Sequence, residues 1–271
     1  MISPILTYNS EIWGVYAKPD FKAWDGSQIE KAHLQFCKRY LEVNNKASIM
    51  ACRAELGRFP LNITISQKIL KNILYIQSKD DESLVKQAFL MSFDLHCNGK
   101  NSFHSHLMNM SEYFNLPDFN PDLLDIAMVK SYVSSMKQEY ISYCQNTPQH
   151  SQKLEFFRSF KTDHTTSSYF VLTRGTAGGR ALVKLRICNH KLMIEIGRDN
   201  QTTKDKGHCP FCGCNVIEDE VHFLFQCRGP TYSMIRNKFY YKVKTLIPNI
   251  TQLPINGLIN ELINPPNYFI N

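Results

Sequence analysis

Four residues toward the C-terminal end carry the clearest chemistry in this chain: Cys209 and Cys212 around Pro-Phe, then His222, then Cys227. The array reads Cys-x2-Cys-x9-His-x4-Cys. Two residues between cysteines let both sulfurs face one point from a tight turn, and the four-residue gap brings His222 and Cys227 together near a helical turn. Soft thiolates plus one imidazole, with all four positions filled by protein, describe a closed structural site for one Zn²⁺ that has no open position for an activated water. Cys214 and His208 leave alternatives open, since either could replace a neighbour, although Cys212-Gly-Cys214 is close for a knuckle and His208 abuts Cys209. The competing reading is a set of buried apolar cysteines with a surface histidine. A stretch this short cannot bury a core without the metal, so folding and zinc binding are expected to be one event.

Other chemistry-bearing residues do not assemble into a reaction centre. Asp80-Asp81-Glu82 sits in a polar Gln-Ser-Lys-…-Ser context that reads as a loop and helix N-terminus, where acidic groups favour the dipole. His104-Ser-His106 has no third ligand at a useful spacing and reads as part of a helix. The Gly175-to-Arg180 stretch lacks the Gly-Lys-Ser/Thr that completes a phosphate loop and reads as a turn. No Ser/His/Asp or Cys/His arrangement stands out, so no catalytic residue is expected and the chain is read as a non-enzyme with no small-molecule substrate.

Positive charge brackets the cysteine cluster. From Arg158 to Lys206 there are ten basic and four acidic residues, and from Arg228 to Lys244 five basic and no acidic ones, against a net charge of +7 for the whole chain. Arg174, Arg180, Lys184, Arg186, Lys191, Arg198, Arg228, Arg236 and Lys238 are the candidate nucleic-acid contacts. Interleaved aromatics (Phe156, Phe157, Phe160, Tyr169, Phe170, then Tyr232, Phe239, Tyr240, Tyr241) suit phosphate contact combined with base stacking on RNA or single-stranded DNA. The plainer reading makes the aromatics core and the cations a solvated face.

The elements that must position these groups are mainly helical. Apolar residues recur at three- and four-residue steps over 28–42, opened by the capping-box pair Ser27 and Glu30, and again over 47–57, 66–77, 83–96, 103–114 and 122–144. Further helices are expected near 179–188, 230–246 and 255–263. The polar run 145–152 reads as a linker. We therefore expect a helical domain over 1–145, a linker and basic segment over 146–206, and a zinc-knuckle module with C-terminal helices over 207–271.

With 43% hydrophobic and 20% charged residues, the composition excludes collagen-like, low-complexity and wholly disordered classes. No apolar run reaches the ~18 to 20 residues of a membrane span, and the first fifteen positions do not read as a secretory signal. Nine cysteines, an odd number with four crowded into 209–227, fit metal ligation better than a disulfide framework. An intracellular protein, nuclear or cytoplasmic and without a membrane partner, is expected.

Several segments together resemble the region downstream of the polymerase core in reverse transcriptases of non-LTR (LINE-type) retrotransposons. These are Pro4-Ile-Leu-Thr-Tyr8-Asn-Ser-Glu11-Ile-Trp13-Gly14, Ile29-Glu-Lys-Ala-His33-Leu-Gln-Phe36-Cys37-Lys38-Arg39, Ala54-Glu55-Leu56-Gly57-Arg58-Phe59-Pro60-Leu61, and Lys184-Leu-Arg186 through Gly197-Arg198. Cys209-Pro-Phe-Cys212 and Ile217 through Cys227 are similar to that family's zinc knuckle, and the resemblance implies the same four ligands that spacing selects. It further implies that Arg186, His190, Lys191 and Arg198 lie on a surface holding template RNA or target DNA. The polymerase palm would lie before residue 1, so the expected function is a non-catalytic, zinc-dependent nucleic-acid-binding fragment, as a truncated copy, a domesticated remnant or part of a split gene. The alternatives are a zinc-stabilised protein-interaction module, or an accessory part that completes a reverse transcriptase with a separate polymerase-bearing chain.

Overall fold

The computed structural model describes residues 2–146, 153–200 and 207–263. Among them the chain is mainly α, with isolated bridges as its only β structure. Part of the 145–152 linker, the end of the basic segment (201–206) and residues 264–271 lie outside the described residues. The chain divides into two compact units, one drawn from 1–37 and 58–147, the other from 38–57 and 148–271. The segment around Ile49–Glu55 thus packs with the second unit although it lies within 1–145.

The first unit contains α1 (Ser3–Leu6), α2 (Ser10–Trp13), α3 (Phe21–Asp25) and most of α4 (Gln28–Tyr40), whose last turn belongs to the other unit. After α5 (Ile49–Glu55) of the second unit it continues with α6 (Leu61–Gln77), α7 (Leu84–Cys97), α8 (Phe103–Tyr113) and α9 (Ile126–Asn146). α6 is central because it is apolar on nearly every side: Leu61, Ile63, Ile65, Ile69, Leu70, Ile73 and Ile76 are all buried. α9 lays Val129, Val133, Met136 and Tyr140 into the same core, the stripe that its three- and four-residue spacing predicts. α6 begins directly after Pro60, a turn and a half before the expected Ser66, and Asp125 caps α9 by accepting the Met128 N–H at 2.6 Å.

Half of the expected capping box at Ser27 forms. The Ser27 hydroxyl accepts the Glu30 N–H at 3.2 Å, but the Glu30 carboxylate turns inward. It accepts the Trp24 indole N–H at 2.6 Å and the Leu61 N–H at 2.8 Å, and lies 2.9 Å from His33 Nδ1. One fully buried carboxylate therefore joins α3, α4 and the start of α6. Burial alone would lower the His33 pKa, but its hydrogen bonds to Cys37 and Glu30 raise it from 6.5 to about 9.

The second unit adds α10 (Glu155–Arg158), α11 (Ser168–Thr173), α12 (Ala177–Arg186), α13 (Met193–Asp199), α14 (Pro230–Val243) and α15 (Ile255–Ile263) to α5. Thr176 caps α12 by accepting the Gly179 N–H at 2.9 Å, so the Gly175-to-Arg180 stretch is a turn and helix start. α5 ends at Glu55 and is followed at Gly57 by a φ of +58°, in the left-handed region that favours glycine. A Cβ there would also meet the Thr166 backbone N at 2.6 Å, which fits the bridge between Leu56 and Thr166.

Candidate metal centre and its surroundings

The cysteine array is positioned by two short devices. His208 and Ile217 pair as an antiparallel bridge, with the Cys209 N–H donating to Val216 O at 2.8 Å and the Glu218 N–H to Gly207 O at 2.8 Å. Between them Gly213 and Asn215 turn the chain at positive φ. On the other side His222–Gln226 forms a single π-helical turn closed by the Cys227 N–H donating to His222 O at 2.7 Å. The extra residue in that turn brings the last two ligand side chains to one point. Asp219 Oδ1 accepts the His222 N–H at 2.7 Å.

The ligand atoms of Cys209, Cys212, His222 and Cys227 all lie within 4.8 Å of one another and could hold a metal ion. Cys209 Sγ is 3.7 Å from Cys227 Sγ, and Cys212 Sγ is 3.5 Å from His222 Nε2. Burial pushes the Cys209 thiol up to about 11, whereas the backbone N–H of Cys214 draws the Cys212 thiol down to about 6. Cys214 is exposed and its thiol points at the Cys212 carbonyl, while His208 pairs through its backbone, so neither joins the four. None of the nine cysteines is in a disulfide.

The surrounding shell is built by α14. The Arg236 guanidinium donates to the carbonyls of Cys227 at 2.8 Å and Phe225 at 3.0 Å, tying the helix to the last ligand. The Tyr232 ring packs 4.8 Å from Phe211 and 4.9 Å from Phe223. Gly229 must be small, because a Cβ there would meet Phe211 O at 2.7 Å.

The candidate nucleic-acid contacts divide sharply. Arg186 is not on any surface: it is fully buried, its Nε 2.6 Å from Glu55 Oε1 and its Nη2 3.2 Å from Glu55 Oε2. Its guanidinium lies 4.5 Å from the Phe160 ring and 4.6 Å from the Tyr169 ring, and it also donates to Ser167 Oγ and Ile263 O. Tyr169 completes the group by donating to Glu55, and burial pushes the Tyr169 hydroxyl far above its usual range. The expectation that Arg186 touches nucleic acid is thereby corrected. An exposed phosphate contact cannot be made by a cation already neutralised in the core.

His190 is corrected because both its ring nitrogens are engaged within the protein: its Nε2 is 2.8 Å from Glu220 Oε1 and its Nδ1 accepts the Leu192 N–H. Burial would raise the Glu220 carboxyl, but the His190 ring holds it below the usual carboxylate range. Arg236 is occupied by the carbonyls described above. Arg198 is paired with the buried Glu195. Arg174 lies 3.8 Å over the Tyr40 ring, and Arg180 is 3.6 Å from the Glu42 carboxylate; both remain partly or wholly open to solvent. Lys184 is half-buried, and Lys191, Arg228 and Lys238 are exposed.

The aromatics divide in the same way. Phe156, Phe157, Phe160, Tyr169 and Phe170 are all buried, so in this segment the core reading holds and stacking on bases is excluded. Tyr241 is 80% exposed and Phe239 46%. Glu55 escaped the reading of the sequence, yet a lone carboxylate in the mostly apolar run 49–56, which also carries Arg53, is a signal for a buried cationic partner.

Among the described residues no helix is long and apolar enough to cross a membrane. No family model, curated protein or solved structure matches the chain.

Proposed function

We propose that this chain is a non-catalytic, zinc-stabilised nucleic-acid-binding polypeptide related to the region downstream of the polymerase core in non-LTR retrotransposon reverse transcriptases. The observation that carries this reading is the outer stripe of α14. There Lys238, Tyr241 and Lys242 are exposed in a run, Arg228 to Lys244, with five basic and no acidic residues. Phosphates meet the ammonium groups while bases stack on a ring that solvent already covers, a combination suited to single strands.

Zinc is favoured over other metals by the donor set and its dimensions. A tetrahedron with Zn–S of about 2.3 Å and Zn–N of about 2.05 Å has S···S edges near 3.8 Å and S···N edges near 3.6 Å. The observed 3.7 and 3.5 Å separations fit two of those six edges, and the four ligand atoms all lie within 4.8 Å of one another. Four protein ligands leave no place for an activated water, which supports a structural role for the ion and a knuckle that orients α14 through Arg236.

Fluorescence anisotropy of the zinc-loaded chain with single-stranded RNA, single-stranded DNA and duplex DNA at two salt concentrations tests the reading. Binding that weakens steeply with salt, by a log-log slope of about −0.9 per neutralised phosphate on duplex, and that is lost after chelation, is expected. A folded, zinc-replete chain that binds none of the three at low salt overturns it.

A further inference from the structure

The inner face of α14 has no role in the nucleic-acid reading. Tyr232, Ile235, Phe239 and Tyr240 share it with Arg236, at the i, i+3, i+4, i+7, i+8 spacing of one helix face, and they wall an apolar groove of about 710 Å³ together with α12, the π-helical turn and α15. The groove is incompletely closed: α14 buries none of its residues, and Ile235 and Phe239 are 56% and 46% exposed. A 14-residue helix with no fully buried residue is marginal on its own, since most helical stability comes from packing an apolar face. Among the described residues its apolar stripe therefore lacks a cover.

Charge identifies the cover. Two groove-lining cations, Lys184 and Arg236, have no carboxylate partner among the described residues. Arg236 spends its Nη groups on carbonyls, but its Nε is buried with no hydrogen-bond partner. α12 and α14 together contain no acidic residue. That Nε is sealed from an occupant, which leaves half-buried Lys184 as the cation on these walls that an occupant's carboxylate can meet. A small ligand would have to be largely enclosed by its site, and walls as open as Ile235 and Phe239 favour a macromolecular helix that covers them.

We propose that this groove receives an amphipathic helix of a partner protein, with large apolar side chains at i, i+4 and i+7 and an Asp or Glu reaching Lys184. The proposal stands apart from the nucleic-acid reading. Lys238 and Tyr241 lie on the opposite side of α14, so failure of one leaves the other intact.

The test uses the full zinc-loaded chain to select from a displayed library of helix-forming peptides in which acidic and basic residues are equally represented. The expected result is enrichment of peptides with the apolar spacing above and flanking Asp or Glu. A selected peptide, titrated by anisotropy, should lose about tenfold in affinity or more against Phe239→Ser, and similarly against Lys184→Glu. Replacing its acidic residue by Lys should restore binding to the Lys184→Glu chain. Circular dichroism and zinc content of both variants should match the parent, and Ile235→Ser serves if Phe239→Ser fails to fold. Lys238→Ala should leave peptide binding unchanged. Enrichment without acidic bias, no enrichment, or binding indifferent to Phe239→Ser and Lys184→Glu overturns the proposal. So does self-association of the chain abolished by Phe239→Ser, or displacement of the peptide by a long-chain carboxylate.

Discussion

Glu55 and Arg186, 131 positions apart in the chain, form a fully buried bidentate ion pair whose two side chains are wholly excluded from solvent. The pair joins α5 to α12, and the second Nη of Arg186 extends the link to the end of α15. Tyr169 and Phe160 supply aromatic faces to the guanidinium, so the cation is held by charge, hydrogen bonds and ring contacts together.

Removing one partner should therefore damage the second unit severely. Glu55→Gln or Arg186→Met is expected to cost about 3–5 kcal/mol, because each leaves a buried charge or its donors uncompensated. Arg186→Lys should be nearly as harmful, since an ammonium cannot make the fork. The double replacement Glu55→Gln with Arg186→Met should cost less than the sum of the two singles. Denaturant titration of the four variants decides, and single variants that melt like the parent would show that the pair contributes nothing.

Metal content separates the ligands from their neighbours. Cys209→Ser and Cys227→Ser should abolish stoichiometric zinc and expose 207–263 to protease, while Cys214→Ser and His208→Ala should retain the metal. Elemental analysis of purified variants reads this directly. Loss of zinc in Cys214→Ser would move that thiol into the ligand set.

The first unit should lose stability toward alkaline pH. His33 has its pKa raised from 6.5 in the unfolded chain to about 9 in the fold, so its contribution is complete below about 6.5 and disappears as pH rises through about 9. His33→Gln should cost about 1–3 kcal/mol at pH 6 and flatten that profile. Urea unfolding followed by tryptophan fluorescence suits the test, because Trp13 and Trp24 both lie in this unit. A wild-type profile that is flat between pH 6 and 9.5 contradicts the assignment.

Nucleic-acid binding should respond to the outer stripe of α14 and not to buried cations. Lys238→Ala and Lys242→Ala are each expected to flatten the salt slope by about 1. Tyr241→Ala should weaken single-strand binding by about 1–3 kcal/mol through lost stacking, with a smaller effect on duplex. Anisotropy across a salt series distinguishes the two effects, and slopes unmoved by both lysine replacements would remove α14 from the interface.

The helical class and most helix positions were legible because apolar spacing is a local property. α4, α8, α9 and α15 fall where three- and four-residue periodicity puts them, within a few residues at their ends. The convergence of four residues that could hold a metal was legible for a similar reason: short gaps between Cys209, Cys212, His222 and Cys227 restrict where those side chains can go. Short helices such as α3, α10 and α13 were missed, since one or two turns carry too few residues to display a period.

What local sequence could not decide was the use of each cation. Arg186, Lys191 and Arg236 look alike in a basic segment, yet one is sealed against Glu55, one is exposed, and one braces the carbonyl of Cys227. The difference comes from partners up to 131 positions away, which only chain folding brings within hydrogen-bond range. The same holds for Phe160 and Tyr241, both aromatic residues near Lys, of which tertiary packing buries the first and leaves the second in water. Residue type and spacing determined the helices and the Cys/His cluster, and tertiary structure decided which charges and rings remained open to solvent.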